Sequence, residues 1–259
     1  MIDLQFLGQN LHFAIGLLAA LSTFAAAWLY FDAWTNEKGK KSLLRWSGFF
    51  LLSLSFVIYA VDVPLIGEVS KDDTRYGVIS DIIRAIGYAL IILAEVLTPM
   101  LKAPSNQKPH SDVANKLPAV SFLPGSYGSF VNVLPVVGAI GACVMYWRRA
   151  TTGLERHLKP VALSFVGFSI FEILAQAQLL RSSSNVAINQ AVAIYGPVWL
   201  AENIVLLISS ILLGRWVLRY LTKRFMSQLF MVFTGGIIIV FLATTLTFTY
   251  ILLRGVKDA

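Results

Sequence analysis

Seven long apolar stretches are the feature that most constrains how this 259-residue chain folds. A helix needs roughly 20 apolar residues to cross the hydrocarbon core of a bilayer. Because backbone polar groups must find their partners internally in lipid, such stretches are expected to be helices. The predicted spans cover residues 11–34, 43–63, 78–101, 130–147, 160–180, 193–218 and 229–253, with a long Pro- and Gly-containing loop at 102–129. The sequence therefore predicts an all-α, polytopic integral membrane bundle of about seven helices, forming a single domain over residues 1–259.

The composition agrees with a membrane protein. Hydrophobic residues make up 57% of the chain and charged residues 14%, against ~45–50% and ~25% in soluble domains. The net charge of +7 comes mostly from Lys and Arg between apolar stretches, which cytoplasmic loops and anionic lipid headgroups explain without nucleic acid. Residues 1–10 carry no positive charge, so the first stretch is interpreted as a span and not a cleavable signal peptide. We expect membrane lipids as partners and a bacterial inner (cytoplasmic) membrane as the location.

Three basic loops follow predicted spans one, four and six. Their basic residues are Lys38, Lys40, Lys41 and Arg45; Arg148, Arg149, Arg156 and Lys159; and Arg219, Lys223 and Arg224. The positive-inside rule favours the cytoplasmic side for all three loops, and the second and third are candidates for binding lipid headgroups. Yet three predicted spans separate the first loop from the second, which places them on opposite faces. Either a span is miscounted, a re-entrant segment lies within residues 117–134, or one loop violates the rule.

The third span carries four polar side chains at helical spacing. Asp81, Arg84, Tyr88 and Glu95 fall near one helix face, and Asp81 can pair with Arg84 one turn later. An ionisable group inside a span suggests a functional site by default. The alternative interpretation is a shorter apolar core with Asp81 and Arg84 at the membrane interface.

Spans five and six hold the strongest buried polar candidates. The ligand or proton-relay candidates of the chain are Glu95, Glu172, Gln176, Glu202 and Asn203. Glu172 and Glu202 are placed to face each other across the bundle and to share a proton or a hydrogen-bond network. The alternative is interhelical hydrogen bonding that only holds the bundle together, and the spacing does not decide between the two.

No cofactor, metal site or catalytic residue is predicted. The three histidines lie at a span edge or in loops, which disfavours haem, and every lysine lies in a loop or at a terminus, which excludes a retinal Schiff base. The single cysteine, Cys143, excludes an intrachain disulfide. Known catalytic motifs are missing from the sequence, so enzymatic activity is disfavoured. The residual enzyme hypothesis is a lipid-acting protein that uses Glu172, Glu202 or Asp62 as acid and base.

The sequence from about residue 150 onward resembles a known class of signalling proteins. A basic turn at residues 219–224 precedes the apolar, Thr-rich run to Leu253, and Gly153–Pro160 and Tyr195–Glu202 lie upstream. Over roughly residues 150–253 this pattern resembles the membrane-embedded input regions of bacterial sensor histidine kinases and chemoreceptors. The resemblance implies a non-catalytic sensory module that relays a membrane or ligand signal through its last helices, as a homodimer or to a downstream partner. No HAMP or kinase segment follows in this sequence. The alternative is a small proton-coupled transporter that uses intramembrane carboxylates.

Overall fold

The computed structural model describes residues 4–66, 75–98, 127–152, 155–177, 190–191 and 196–220. Every regular element in these ranges is helical. The six long helices are α1 (Leu4–Glu37), α2 (Lys40–Ile66), α3 (Arg75–Leu97), α4 (Tyr127–Thr152), α5 (Lys159–Ala177) and α6 (Pro197–Leu218), and a 3-10 turn at Arg156–Leu158 precedes α5. The predicted span at 229–253 lies outside the described residues, as does all of the predicted loop 102–129 before Tyr127.

Four of these helices are long and apolar enough to cross a membrane. They are residues 8–37 of α1, residues 40–61 of α2, the segment Arg156–Ala177 that includes α5, and α6. Their outward faces are apolar: on α6, Ile204, Ile208 and Ile211 are exposed while Glu202 and Asn203 are buried. Apolar side chains outside and polar side chains inside are the distribution expected of a helix bundle in lipid.

The first two helices form a tight antiparallel pair. Lys38 adopts a left-handed conformation with φ of 48°, and its N–H donates to the carbonyl of Trp34 at 2.6 Å. This is a common way to end a helix, because the left-handed residue satisfies a free terminal carbonyl. The N–H of Leu43 then donates to the carbonyl of Gly39 at 3.2 Å, at the start of α2. With only two residues between the helices, α2 has to return alongside α1.

The six helices close into a ring. Each helix packs on the helices before and after it in the chain, and α6 packs on α1. α2 and α5 also meet across the centre of the ring through aromatic pairs: Phe49 contacts Phe165, and Phe56 contacts both Phe168 and Phe171. All five rings are fully buried. The interior is therefore an aromatic layer supplied mainly by α2 and α5.

α3 and α4 run parallel. A Cβ added at Gly138 would lie 2.7 Å from Cβ of Tyr88, and one at Gly141 would lie 2.8 Å from Cδ1 of Ile92. Further along both helices, Arg149 bonds to the carbonyl of Thr98 at 2.6 Å. Contacts that advance together along two helices are possible only when the helices point the same way.

α6 and α1 are parallel by the same criterion. His12 contacts Asn203 at one end, and Tyr30 contacts Trp216 at the other. The ring therefore consists of two up-down-up triplets, α1–α3 and α4–α6, with the same order of helix directions. The sequence reveals no internal repeat, so this relationship is visible only in the tertiary structure.

The parallel α3 and α4 remove the conflict between the basic loops. The turn between α1 and α2, the connection between α4 and α5, and the end of α6 all lie at one end of the bundle, called here the basic end. The opposite end, where α1 and α6 begin, is called the histidine end. α3 ends at the basic end and α4 begins at the histidine end. Three helices therefore lie between the first two basic connections without placing them at opposite ends of the bundle.

Candidate functional site

Buried and half-buried polar side chains gather in two networks, one toward each end of the ring. The histidine-end network comprises His12, Tyr59, Asp81, Arg84, Tyr88, Glu172, Glu202 and Asn203. The basic-end network comprises Arg45, Glu95, Thr98, Arg149 and Glu155. Charged groups inside a bundle are costly unless they are paired, so two such networks require a physical account.

His12 joins three helices in the histidine-end network. Its Nδ1 lies 3.0 Å from Oδ1 of Asn203 on α6, and its Nε2 lies 3.0 Å from the carbonyl oxygen of Tyr59 on α2. The ring also packs on the Tyr59 ring, with 4.4 Å between centroids, and stacks on Trp199 at 5.7 Å. The imidazole is 1% exposed. Its orientation is therefore set by two hydrogen bonds and two aromatic contacts.

Tyr59 connects this histidine to a buried carboxylate. The Tyr59 hydroxyl donates to Oε1 of Glu202 at 2.8 Å, and Glu202 is 1% exposed. The Tyr59 ring also meets Phe171 edge-on at 5.3 Å. Since Phe171 precedes Glu172 on α5, Tyr59 lies between the two glutamates that the sequence singles out.

Arg84 and Glu172 form the other half of the network. Arg84 forms an ion pair with Asp81 one turn earlier, as the sequence predicts. Its Nε lies 3.6 Å from Oε1 of Glu172, the oxygen to which the Tyr88 hydroxyl donates at 3.2 Å. The guanidinium also lies over the Phe171 ring at 5.4 Å, a cation–π contact. Within the described residues, Glu172 Oε2 and Arg84 NH1 have no hydrogen-bond partner.

Glu95 is the centre of the basic-end network. Nε of Arg45 on α2 donates to Oε1 at 2.7 Å, and Nε of Arg149 on α4 lies 2.8 Å from Oε2. The carboxylate is 1% exposed, and Arg149 is 3% exposed. One carboxylate is thus held between two guanidinium groups from the two helices that flank α3.

The two arginines reach further partners that offset the second positive charge. Arg45 donates to the Thr98 hydroxyl at 3.1 Å and lies 5.4 Å from the centre of the Tyr30 ring. Arg149 donates to Glu155 at 3.1 Å. With two arginines and two glutamates, this network is electrically balanced among its described members, which is typical of a structural ion-pair cluster.

The aromatic layer separates the networks. Arg84 and Glu95 lie on the same helix and are about 16 Å apart along its axis at 1.5 Å per residue. Between these levels lie Tyr88, Phe165 and Tyr146, all fully buried; the Phe165 ring contacts both tyrosines, at 6.2 Å and 5.1 Å. α3 is therefore the element that links a polar site near one end to a polar site near the other.

The structure brings most of the predicted candidates into one of the two networks. Glu172, Glu202 and Asn203 belong to the histidine end, where the two glutamates accept hydrogen bonds from different tyrosines, and Glu95 belongs to the basic end. Gln176 is half-buried near the end of α5.

The candidate headgroup ligands differ in exposure. Arg149 is buried in the basic-end network, whereas Arg148, Arg156, Lys159 and Arg219 are exposed. Lys223 and Arg224 lie outside the described residues. Arg148, Arg156 and Lys159 therefore lie at the surface of the basic end, whereas Arg149 forms an ion pair with Glu95.

Sequence reasoning missed His12, Tyr59 and Arg45 as network members. His12 is interpretable from sequence only as a span edge, and Arg45 only as part of a basic loop. The hydrogen-bond partners of these residues lie 47 to 191 positions away in the sequence, on other helices. No periodic pattern signals such a contact.

Among the described residues, no group of three or more His, Cys, Asp or Glu side chains could hold a metal ion. Comparison of the chain with family models, curated proteins and solved structures found no match.

Proposed function

We propose that the chain is a non-catalytic, multi-pass membrane sensory module of a bacterial inner membrane. In this proposal α1–α6 and the predicted helix 229–253 form the membrane domain, with the basic end in the cytoplasm. A ligand or membrane stimulus changes the histidine-end network, and helix movement carries the change to the basic end and onward from α6 into the last span. The signal leaves the protein through contact with a second copy or with a downstream partner. Anionic lipid headgroups are expected to bind at the same end.

The observation that carries the proposal is the arrangement of α3. It holds Arg84 in one buried network and Glu95 in the other, with an aromatic layer between them. Buried ion pairs have few alternative geometries, because separating one leaves an unpaired charge in a medium of low polarity. A change in the pairing of Arg84 is therefore expected to move α3 and the ion pairs of Glu95 with it.

The same aromatic layer supports signalling over transport. Phe49, Phe165 and Tyr146 are fully buried at this level, and they fill the space through which a solute would pass. A relay that needs only a shift of packed helices is compatible with such a layer.

Distances between the helix ends at the basic end test the relay. Spin labels at Lys38→Cys and Leu218→Cys, both exposed positions, report on the ends of α1 and α6 in the full-length protein in nanodiscs, with Cys143 replaced by Ser. We expect Glu172→Gln and Glu202→Gln to shift the distance distribution between the labels. Ile173→Val, at an exposed neighbouring position of α5, serves as the control and should leave it unchanged. Identical distributions in all variants would contradict a relay from the histidine end.

The matching helix directions in α1–α3 and α4–α6 favour one second candidate, a small proton-coupled transporter. Several carrier families are built from parallel repeats related by an axis along the membrane normal, with polar sites between the halves. Proteoliposomes with an imposed proton gradient distinguish the two functions. Proton-driven uptake that Glu172→Gln abolishes would favour the transporter, and its absence together with a relay between the ends would favour the sensory module.

A further inference from the structure

The hydrogen bonds around His12 define how many protons its ring carries. Nε2 faces the carbonyl oxygen of Tyr59 at 3.0 Å, and a carbonyl can only accept. Nε2 must therefore carry a hydrogen. Nδ1 faces Oδ1 of Asn203, also at 3.0 Å, so the protonation of Nδ1 depends on which atom of the Asn203 amide points toward it.

The backbone carbonyl of Trp199 orients the Asn203 amide. Its Nδ2 donates to the carbonyl oxygen of Trp199 at 2.9 Å, which leaves Oδ1 toward His12. Turning the amide over would place its oxygen against the Trp199 carbonyl, so that two acceptors would meet at hydrogen-bond distance. With the donor held by Trp199, Asn203 offers His12 only an acceptor, and Nδ1 must carry a hydrogen as well.

A neutral imidazole has one N–H and cannot satisfy both contacts, whereas the imidazolium has two. We propose that His12 is a proton-binding site, occupied as the imidazolium in this structure, that couples α1 to α2 and α6. The ligand class is the proton itself.

Several titratable groups lie on the helices around His12. The two helices packed on α1 present Tyr59 from α2 and Glu202 from α6. Beyond Tyr59, α3 contributes Asp81, Arg84 and Tyr88, and α5 contributes Glu172. Burial opposes a charged ring, whereas the hydrogen bonds to the Tyr59 carbonyl and to Oδ1 of Asn203 favour it.

Release of this proton has a structural consequence. A neutral His12 can donate to Tyr59 or to Asn203 but not to both, and the other contact becomes an encounter of two acceptors. Either the Asn203 amide leaves Trp199 or the ring leaves one of the two helices. If the chain is the sensory module proposed above, the proton is its stimulus; that step rests on the proposed function, while the proton site does not.

Nitrogen NMR of the full-length protein tests the site directly. The protein is labelled with ¹⁵N-histidine and studied in nanodiscs, and His110→Gln with His157→Gln leaves His12 as the observed ring. At pH 6 we expect both ring nitrogens of His12 to carry hydrogen, with loss of the signal of an unprotonated nitrogen. Asn203→Leu removes the acceptor and should restore that signal, whereas Ser210→Ala, also buried on α6, should not. A neutral ring in the unmutated network at pH 6 would overturn the proposal.

A second readout separates this proposal from the proposed function. A doubly protonated His12 together with unchanged spin-label distances in His12→Gln would leave the proton site standing and count against the sensory module. A neutral His12 together with shifted distances in Glu172→Gln would count against the proton site and support the sensory module.

Discussion

At the scale of single residues, the same residue type has different roles according to its neighbours. Glu95 is buried between two arginines, in a network whose described charges balance. Glu172 is equally buried, but its one arginine is shared with Asp81, and among the described residues its Oε2 has neither a hydrogen bond nor an ion pair. The first arrangement is suited to holding helices together, and the second leaves an acceptor available to a proton, a water molecule or a ligand.

Removing Glu95 should be among the most destabilising single changes in the bundle. Glu95→Ala leaves two buried guanidinium groups without their shared carboxylate, and we expect a loss of about 3–5 kcal/mol in the free energy of unfolding. Glu155→Gln also weakens Arg149, but Glu155 is 14% exposed, and its loss should be about 1 kcal/mol or less. Unfolding by SDS in mixed micelles measures both values. Equal losses would contradict the central role assigned to Glu95.

At the scale of helices, small residues set how closely neighbours approach. A Cβ at Gly48 would lie 2.8 Å from the carbonyl oxygen of Gly87 and 2.6 Å from a side-chain carbon of Ile91. A Cβ at Gly87 would meet the carbonyl oxygen of Gly48 at 2.9 Å. The two glycines thus bring the α2 and α3 backbones together, as small residues do in membrane bundles.

Gly48→Ala should push α3 away from α2. Because the obstructing atoms include backbone, the helices must separate, and we expect a destabilisation of about 1–3 kcal/mol. Gly214→Ala is the matched control, since its new Cβ would meet only Cβ of Ser22 at 3.9 Å. That change should be neutral or stabilising by up to about 1 kcal/mol, because Ala favours the helix over Gly. The same micelle unfolding measurement distinguishes the two outcomes, and a harmless Gly48→Ala would show that the helices are not in close contact.

At the scale of the whole molecule, the directions in which the helices run define the architecture. Two parallel contacts, α3 with α4 and α6 with α1, turn six sequential helices into two similar triplets. They also place the basic residues of the α1–α2 turn and of the α4–α5 connection at one end of the ring, where α6 also ends. A bundle whose basic residues gather at one end has a defined orientation in a membrane under the positive-inside rule.

Cysteine accessibility tests this orientation in intact cells. With Cys143 replaced by Ser, single cysteines at Lys38 and Arg156 should both be protected from a membrane-impermeant maleimide added outside. A cysteine at the exposed Pro197, where α6 begins at the histidine end, should be labelled. Opposite labelling of Lys38→Cys and Arg156→Cys would contradict the parallel arrangement of α3 and α4.

The sequence by itself determined which segments are helical and apolar, because an α-helix satisfies its backbone within the segment. The helices overlap the first six predicted spans, with ends that differ by a few residues, and the Asp81–Arg84 pair follows from spacing along one helix. Seven spans and the sensory role remain predictions. Only the tertiary structure decided that α3 and α4 run parallel, that Glu95 lies between Arg45 and Arg149, and that His12 reaches Asn203 across 191 positions. Such pairs join different helices, and helix periodicity carries no information about which face of one helix meets another.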